Sequence, residues 1–149
     1  MEQMSKYFPD SFYRVTIKGL CVKNEKVLMM RESEKQSRCM WELPGGGLDF
    51  GEDIKTAFSR EVDEEMGLKV SAMSDTPVYV WTHKHKNKRD MDWFYAVVIA
   101  YKVDFEDLNF LPSDECEEIR FVSVEEMLEL NLGDQMRQLP ELINFEDFS

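Results

Sequence analysis

Three glutamates, Glu61, Glu64 and Glu65, stand at i, i+3 and i+4 within the stretch REVDEEMGL. At about 3.6 residues per turn, that spacing puts their carboxylates on one narrow arc of a helix. Like charges stacked in this way weaken a helix unless water or a cation sits among them. Glu52 lies just upstream and adds a fourth carboxylate, and Arg60 is placed to pair with one of the group. Carboxylate oxygens gathered together suit a hard cation, Mg²⁺ or Mn²⁺, which usually shares its shell with water and substrate phosphates. The plainer alternative is a solvated, acidic amphipathic face.

The elements that must hold these groups can be read around them. Apolar residues recur at Ile54, Phe58, Val62 and Met66, which predicts a helix from Asp53 to Met66. Gly67 then stands where a helix C-terminus favours positive φ. Ahead of the helix, Pro44-Gly45-Gly46-Gly47 reads as a loop whose backbone approaches a ligand closely, because glycine has no Cβ.

A glycine, five residues, a glutamate, seven residues, then Arg-Glu-apolar-x-Glu-Glu-x-Gly-apolar describes Gly46, Glu52 and Arg60 to Leu68 at every fixed position. This stretch resembles the Nudix box, and over these 23 of 149 residues the chain is similar to Nudix hydrolases. The hairpin before it and the strands after it fit the same layout. The resemblance implies a Nudix-type α/β/α sandwich with a mixed sheet between helices, where pattern reading alone gives an α+β domain. It also implies cleavage of a nucleoside diphosphate linked to some other group, assisted by Mg²⁺ or Mn²⁺. By that likeness Glu61, Glu64 and Glu65 are metal ligands, joined by Glu52 and the Gly46 carbonyl, and one of the glutamates doubles as the base. An additional glutamate of the family precedes the last strand, with Glu115 and Glu118 as the candidates for ligand or base. Gly45 and Gly46 border the substrate, and Arg31, at the end of a strand, falls where the family often has a basic residue near the substrate.

The resemblance leaves the substrate open. The marker Pro or Tyr of ADP-ribose and dinucleoside polyphosphate enzymes is not matched by Pro77 and Tyr79, which come too early. The NADH and coenzyme A signatures are absent. Compact size, without an N-terminal dimerising extension, tilts the expectation toward nucleoside triphosphates, ahead of ADP-ribose or a nucleotide sugar and then of RNA 5′ ends. Two other classes stand beside these: a sensing module that binds a nucleotide without cleaving it, and an allylic diphosphate isomerase, whose extra histidines have no match here. Monomer and homodimer are equally compatible.

Composition agrees with such a site. At 149 residues the chain is expected to form a single domain, 1–149, with residues 1–11 loosely ordered. A net charge of -12 argues against a general nucleic-acid-binding surface. Bound cations would reverse the local field for an anionic substrate. Cys21, Cys39 and Cys116 are widely spaced and odd in number, which predicts free thiols rather than a disulfide or zinc framework. No signal-type N-terminus is visible, and the longest apolar run, Trp93 to Tyr101, is far short of the ~20 residues of a membrane helix. A soluble, cytoplasmic protein is expected.

In chain order, Phe12 to Val22 and Lys26 to Arg31 predict a hairpin turning at Asn24-Glu25. Glu32 to Arg38 reads as a loop and Cys39 to Leu43 as a short strand, with Trp41 a core residue rather than a base-stacking platform. Alternation in Leu68 to Thr82 predicts another strand. His83 to Arg89 is the basic cluster of an acidic chain and reads as a hairpin tip, either solvated or with Lys84, Lys86 or Arg89 drawing in phosphate. Met91 to Val103 predicts a central strand, Asp104 to Asp114 a loop, and Ile119 to Val122 a last strand. Ser123 and Glu126 form a capping box for a helix through Leu130 packed by Val124, Met127 and Leu128, and a further helix from Asp134 must kink or restart at Pro140.

Overall fold

Strand β3 (Lys26–Arg31) is buried on both faces, and this shapes the architecture around it. Successive side chains of a strand point to opposite sides. Accordingly Val27 and Met29 join one core cluster while Leu28 and Met30 join another. In the computed structural model, which describes residues 13–33, 39–86 and 93–149, two four-stranded sheets carry these clusters between helical layers.

The first sheet has the order β5-β1-β7-β6. Strand β1 (Tyr13–Leu20) runs parallel to β7 (Trp93–Phe105) and antiparallel to β5 (Gly45–Gly47), and β7 pairs antiparallel with β6 (Val70–Lys86), so the sheet is mixed. Around β3 the second sheet assembles β2 (Val22–Lys23), β4 (Trp41–Glu42) and β8 (Glu118–Val122), all antiparallel. Helix α1 (Ile54–Met66) presses Phe58, Val62 and Met66 onto Ile17, Leu28 and Tyr101 on one side. On the opposite side Leu20, Trp41, Trp81 and Val98 are covered by Met127, Met136 and Leu139 from the C-terminal segment. That segment holds α2 (Val124–Met127), a 3₁₀ turn Asp134–Met136, α3 (Leu139–Leu142) and a second 3₁₀ turn Phe145–Phe148. The architecture is the expected α+β sandwich with a mixed sheet between helices. Among the described residues no helix is long and apolar enough to cross a membrane.

Local signals account for many element boundaries. Asn24 and Glu25 both take positive φ (51° and 57°), the conformation of a tight hairpin turn. The Asp53 side chain accepts from Thr56 N to start α1, and Gly67 at φ 67° ends it with its N–H on the Asp63 carbonyl. Ser123 and Glu126 form the reciprocal capping box, and Pro140 opens α3 in its first turn rather than breaking it.

Other boundaries differ from the expectation. Gly45–Gly47 is a strand and not a loop: Thr16, Ile17 and Lys18 pair with Gly47, Gly46 and Gly45. The strand expected over Cys39 to Leu43 narrows to Trp41–Glu42. His83 to Lys86 continue β6 against β7 instead of forming a hairpin tip, while residues 87–89, Arg89 included, lie outside the described residues, as do residues 1–11. Helix α2 stops after one turn, and Leu128, expected to pack, is 72% exposed. The three cysteines are free, with Cys21 and Cys116 buried.

Candidate active site

Burial of Ala57, Phe58, Val62 and Met66 fixes the rotation of α1, and with it the direction of each glutamate. Glu65 falls on the buried side, only 9% exposed, one turn beyond Glu61. Glu64 falls outside, with its side chain 61% exposed. Arg60 binds the outer carboxylates together: its guanidinium reaches Glu52 at 3.0 Å, Glu64 at 3.1 Å and Glu61 at 3.4 Å. Glu52 in turn accepts from Asp49 N at 3.0 Å, so it is held at the helix entrance rather than beside Glu65.

Glu65 faces a cavity of about 190 Å³ lined by Lys18, Glu32, Glu42, Gly45, Glu65 and Glu115. Burial pushes its carboxyl up to about 8, against the pull of the Lys18 ammonium; the Glu61 carboxyl within hydrogen-bonding reach and the charge of Glu115 push the same way. Glu115 is delivered by the loop before β8. Ser113 donates its hydroxyl to the Glu65 carbonyl at 2.7 Å and accepts from Glu115 N at 3.1 Å, which ties that loop to the helix. Leu111 N adds a 2.7 Å bond to the Met66 carbonyl.

The glycine strand forms the facing wall. A Cβ on Gly45 (φ 121°) would collide with the Ile17 carbonyl, and one on Gly46 would stand 3.0 Å from the Glu61 carboxyl. Gly45 lines the carboxylate cavity, whereas Gly46 lines a neighbouring cavity of about 220 Å³ with Arg14, Thr16, Ala96 and Gln135. Lys18, Glu42 and Gly45 border both. Across the second cavity the Gln135 amide donates to Glu42 at 2.9 Å.

The structure therefore brings Glu61, Glu65, Glu115, Gly45 and Gly46 together, with Glu52 and Glu64 linked to them through Arg60. It places other candidates elsewhere. Arg31 is engaged by Glu117 at 3.0 Å and Glu118 at 3.4 Å, so Glu118 belongs to that ion-pair group and Glu115 to the cavity. Lys84 is exposed on β6 and is not among the described residues lining either cavity. Trp41 is buried in the core, with Arg120 stacked on its ring at 4.5 Å. Two contributors had no clear sequence signal: Lys18, a lone charge inside the apolar strand VTIKGL, and Ser113, one polar residue of an irregular loop.

As they stand, no three His, Cys, Asp or Glu side chains among the described residues are gathered tightly enough to grip an ion. The donor chemistry nonetheless fits a hard divalent cation. Oxygen donors dominate the cavity, Lys18 and Met30 being its other lining side chains, and burial raises the Glu65 carboxyl beside that of Glu61, a repulsion a cation would relieve.

A sheet sandwich that sets a glutamate-bearing helix against a glycine strand defines a class, and comparison with known proteins agrees. The NUDIX domain model matches residues 13–142, and the chain belongs to the Nudix family. Members of this family generally use divalent metal ions. An RNA pyrophosphohydrolase of Ruthia magnifica subsp. Calyptogena magnifica is 36% identical, over 59% of this chain and 56% of that protein. An ADP-ribose pyrophosphatase of Methanocaldococcus jannaschii is 32% identical, over 44% of this chain and 38% of that protein. The chain thus spans about half the length, or less, of these curated relatives. The crystal structure of a MutT Nudix hydrolase from Burkholderia pseudomallei has the same fold, with a TM-score of 0.69 at 22% identity, covering 90% of this chain and 100% of that one.

Proposed function

We propose that this chain is a pyrophosphohydrolase that cleaves a nucleoside diphosphate linked to a further group, with nucleoside 5′-triphosphates as the substrate class and Mg²⁺ or Mn²⁺ as cofactor. The observation that carries this reading is the buried Glu65 carboxyl on the box helix, set beside Glu61 and Glu115 in a cavity walled by the glycine strand. Glu61, Glu65 and the Gly46 carbonyl would hold the cation, with Glu52 and Glu64 kept in reserve around Arg60. When bound, a divalent cation neutralises the diphosphate and makes a water more acidic.

The chain's own residues supply position and proton transfer. Glu115 is the base this geometry favours, because it lines the cavity while Glu64 lies outside in the grip of Arg60. Arg14 and Gln135 line the adjoining cavity, where we place one nucleoside. With the reacting groups held in line, attack on phosphorus is mostly a matter of orientation and charge. The same reading makes this a cytoplasmic protein whose partner is a small nucleotide.

A second reading, removal of pyrophosphate from RNA 5′ ends, is favoured by the likeness to the Ruthia protein, and ADP-ribose cleavage by the likeness to the archaeal one. Product analysis over nucleoside triphosphates, ADP-ribose, nucleotide sugars and triphosphorylated RNA, with Mg²⁺ and then Mn²⁺, separates them. Fastest turnover of a nucleoside triphosphate supports the proposal, and fastest turnover of capless triphosphorylated RNA replaces it with the second reading. Binding without turnover of any of them contradicts hydrolysis.

A further inference from the structure

Lys18 is only 3% exposed, and a buried ammonium persists only where other groups replace its water. Its Nζ donates to the Leu43 carbonyl at 3.1 Å and to the Gly45 carbonyl at 3.0 Å. These carbonyls flank Pro44, which has no amide proton, and the Pro44 carbonyl accepts from Gly19 N at 3.0 Å. Two carbonyl dipoles pointed at one place repel each other unless a cation occupies it. Lys18 also lies opposite Gly45 in the β1–β5 ladder, so one residue fixes the bend through both its backbone and its side chain. Directly after the bend, Gly46 runs against the Glu61 carboxyl.

We infer that Lys18 is a positioning residue of the cleft: its ammonium holds the Leu43–Gly45 bend so that the glycine main chain stays aligned with Glu61 and Glu65. This rests on the reading above only for what the cleft binds. The sign of one effect separates positioning from simple charge. Removing a positive group beside carboxylates would, through charge alone, tighten cation binding. Releasing the bend that aligns the donors loosens it.

The test compares wild type, Lys18→Met and Lys18→Arg, each well below its melting temperature. Amide hydrogen exchange of the peptide spanning residues 41–48 is measured in metal-free protein, and Mn²⁺ binding is measured by electron paramagnetic resonance without substrate. Lys18→Met is expected to exchange faster in this peptide, with protection kept elsewhere, and to bind Mn²⁺ weaker by on the order of tenfold. Lys18→Arg, which keeps the donors, is expected to stay close to wild type. Unchanged exchange in Lys18→Met, or Mn²⁺ bound equally or more tightly, overturns the proposal. If Lys18→Met does not fold, Lys18→Gln is judged by the same two criteria. If wild type itself binds no Mn²⁺, the cation reading fails and the exchange comparison alone decides the role of Lys18.

Discussion

Glu115 and Glu118 are three residues apart in one acidic run, yet they occupy different environments. Glu115 lines the Glu65 cavity, while Glu118 pairs with Arg31 and, at 3.4 Å, with Arg120. We therefore expect Glu115→Gln to lower kcat by on the order of 10²–10⁴, the range of a lost general base. Glu118→Gln is expected to leave kcat near wild type, and steady-state kinetics on the two variants checks the difference. The Glu65 carboxyl makes a second prediction, for metal-free protein. Its folded-state pKa of about 8 lies above the ordinary 4.5, so between those values the folded protein binds more protons than the unfolded chain. The stability tied to this proton is fully present below about pH 4.5 and is lost as pH rises through about 8. Denaturant melts of chelated protein should show that decline, and Glu65→Gln should flatten it. At this scale the box glutamates were legible because their spacing is itself the signal. Lys18 was not, since a lone charge inside an apolar strand gives no sign of its partners, the Leu43 and Gly45 carbonyls, which only the fold brings to it.

Helix α1 orients the glutamates only as long as its apolar stripe is seated. Phe58 is 1% exposed, and its ring occupies the space a Cβ on Gly19 would need. Phe58→Ala is expected to destabilise by about 3–5 kcal/mol through the cavity it leaves, and Gly19→Ala by about 1–3 kcal/mol through overpacking. Because the two sites touch, the double variant should lose less than the two single losses added together, a coupling that chemical denaturation of all four proteins would measure. Elements closed by a local device were legible: Asp53 and Gly67 bracket α1, Asn24-Glu25 turns the hairpin, and Ser123-Glu126 starts α2. Strand β5 was hidden because glycine has no strand preference of its own, and its conformation comes from pairing with β1. For the same reason the charged run from His83 to Lys86 looked like a tip, although the β7 ladder keeps it extended. Pro77 sits at a register shift of β6, one of the few places in a sheet where proline fits.

The whole molecule carries a net charge of -12 and gathers part of it in one cleft. A cation that binds there binds only the folded state. Mg²⁺ at about 100 times its dissociation constant should then add roughly 2.7 kcal/mol of stability, seen as a raised Tm that a chelator reverses. Fold class was legible at this scale because the order of hairpin, helix, strands and helix gives an α+β domain and the resemblance to the Nudix box implies the sandwich, whose two covering layers meet the apolar faces of β3 and β7. The substrate was not legible, because the adjoining cavity is built from residues far apart in sequence, Arg14, Glu42 and Gln135. The central claim is that the box carboxylates and a divalent cation together cleave a diphosphate bond. Its most direct test is nucleotide product release from a nucleoside triphosphate by wild type and Glu65→Gln, side by side, in Mg²⁺ and in chelator. We predict turnover by wild type in Mg²⁺ alone, with Glu65→Gln folded but slower by on the order of 10² or more. Turnover that survives both the substitution and chelation would contradict the account.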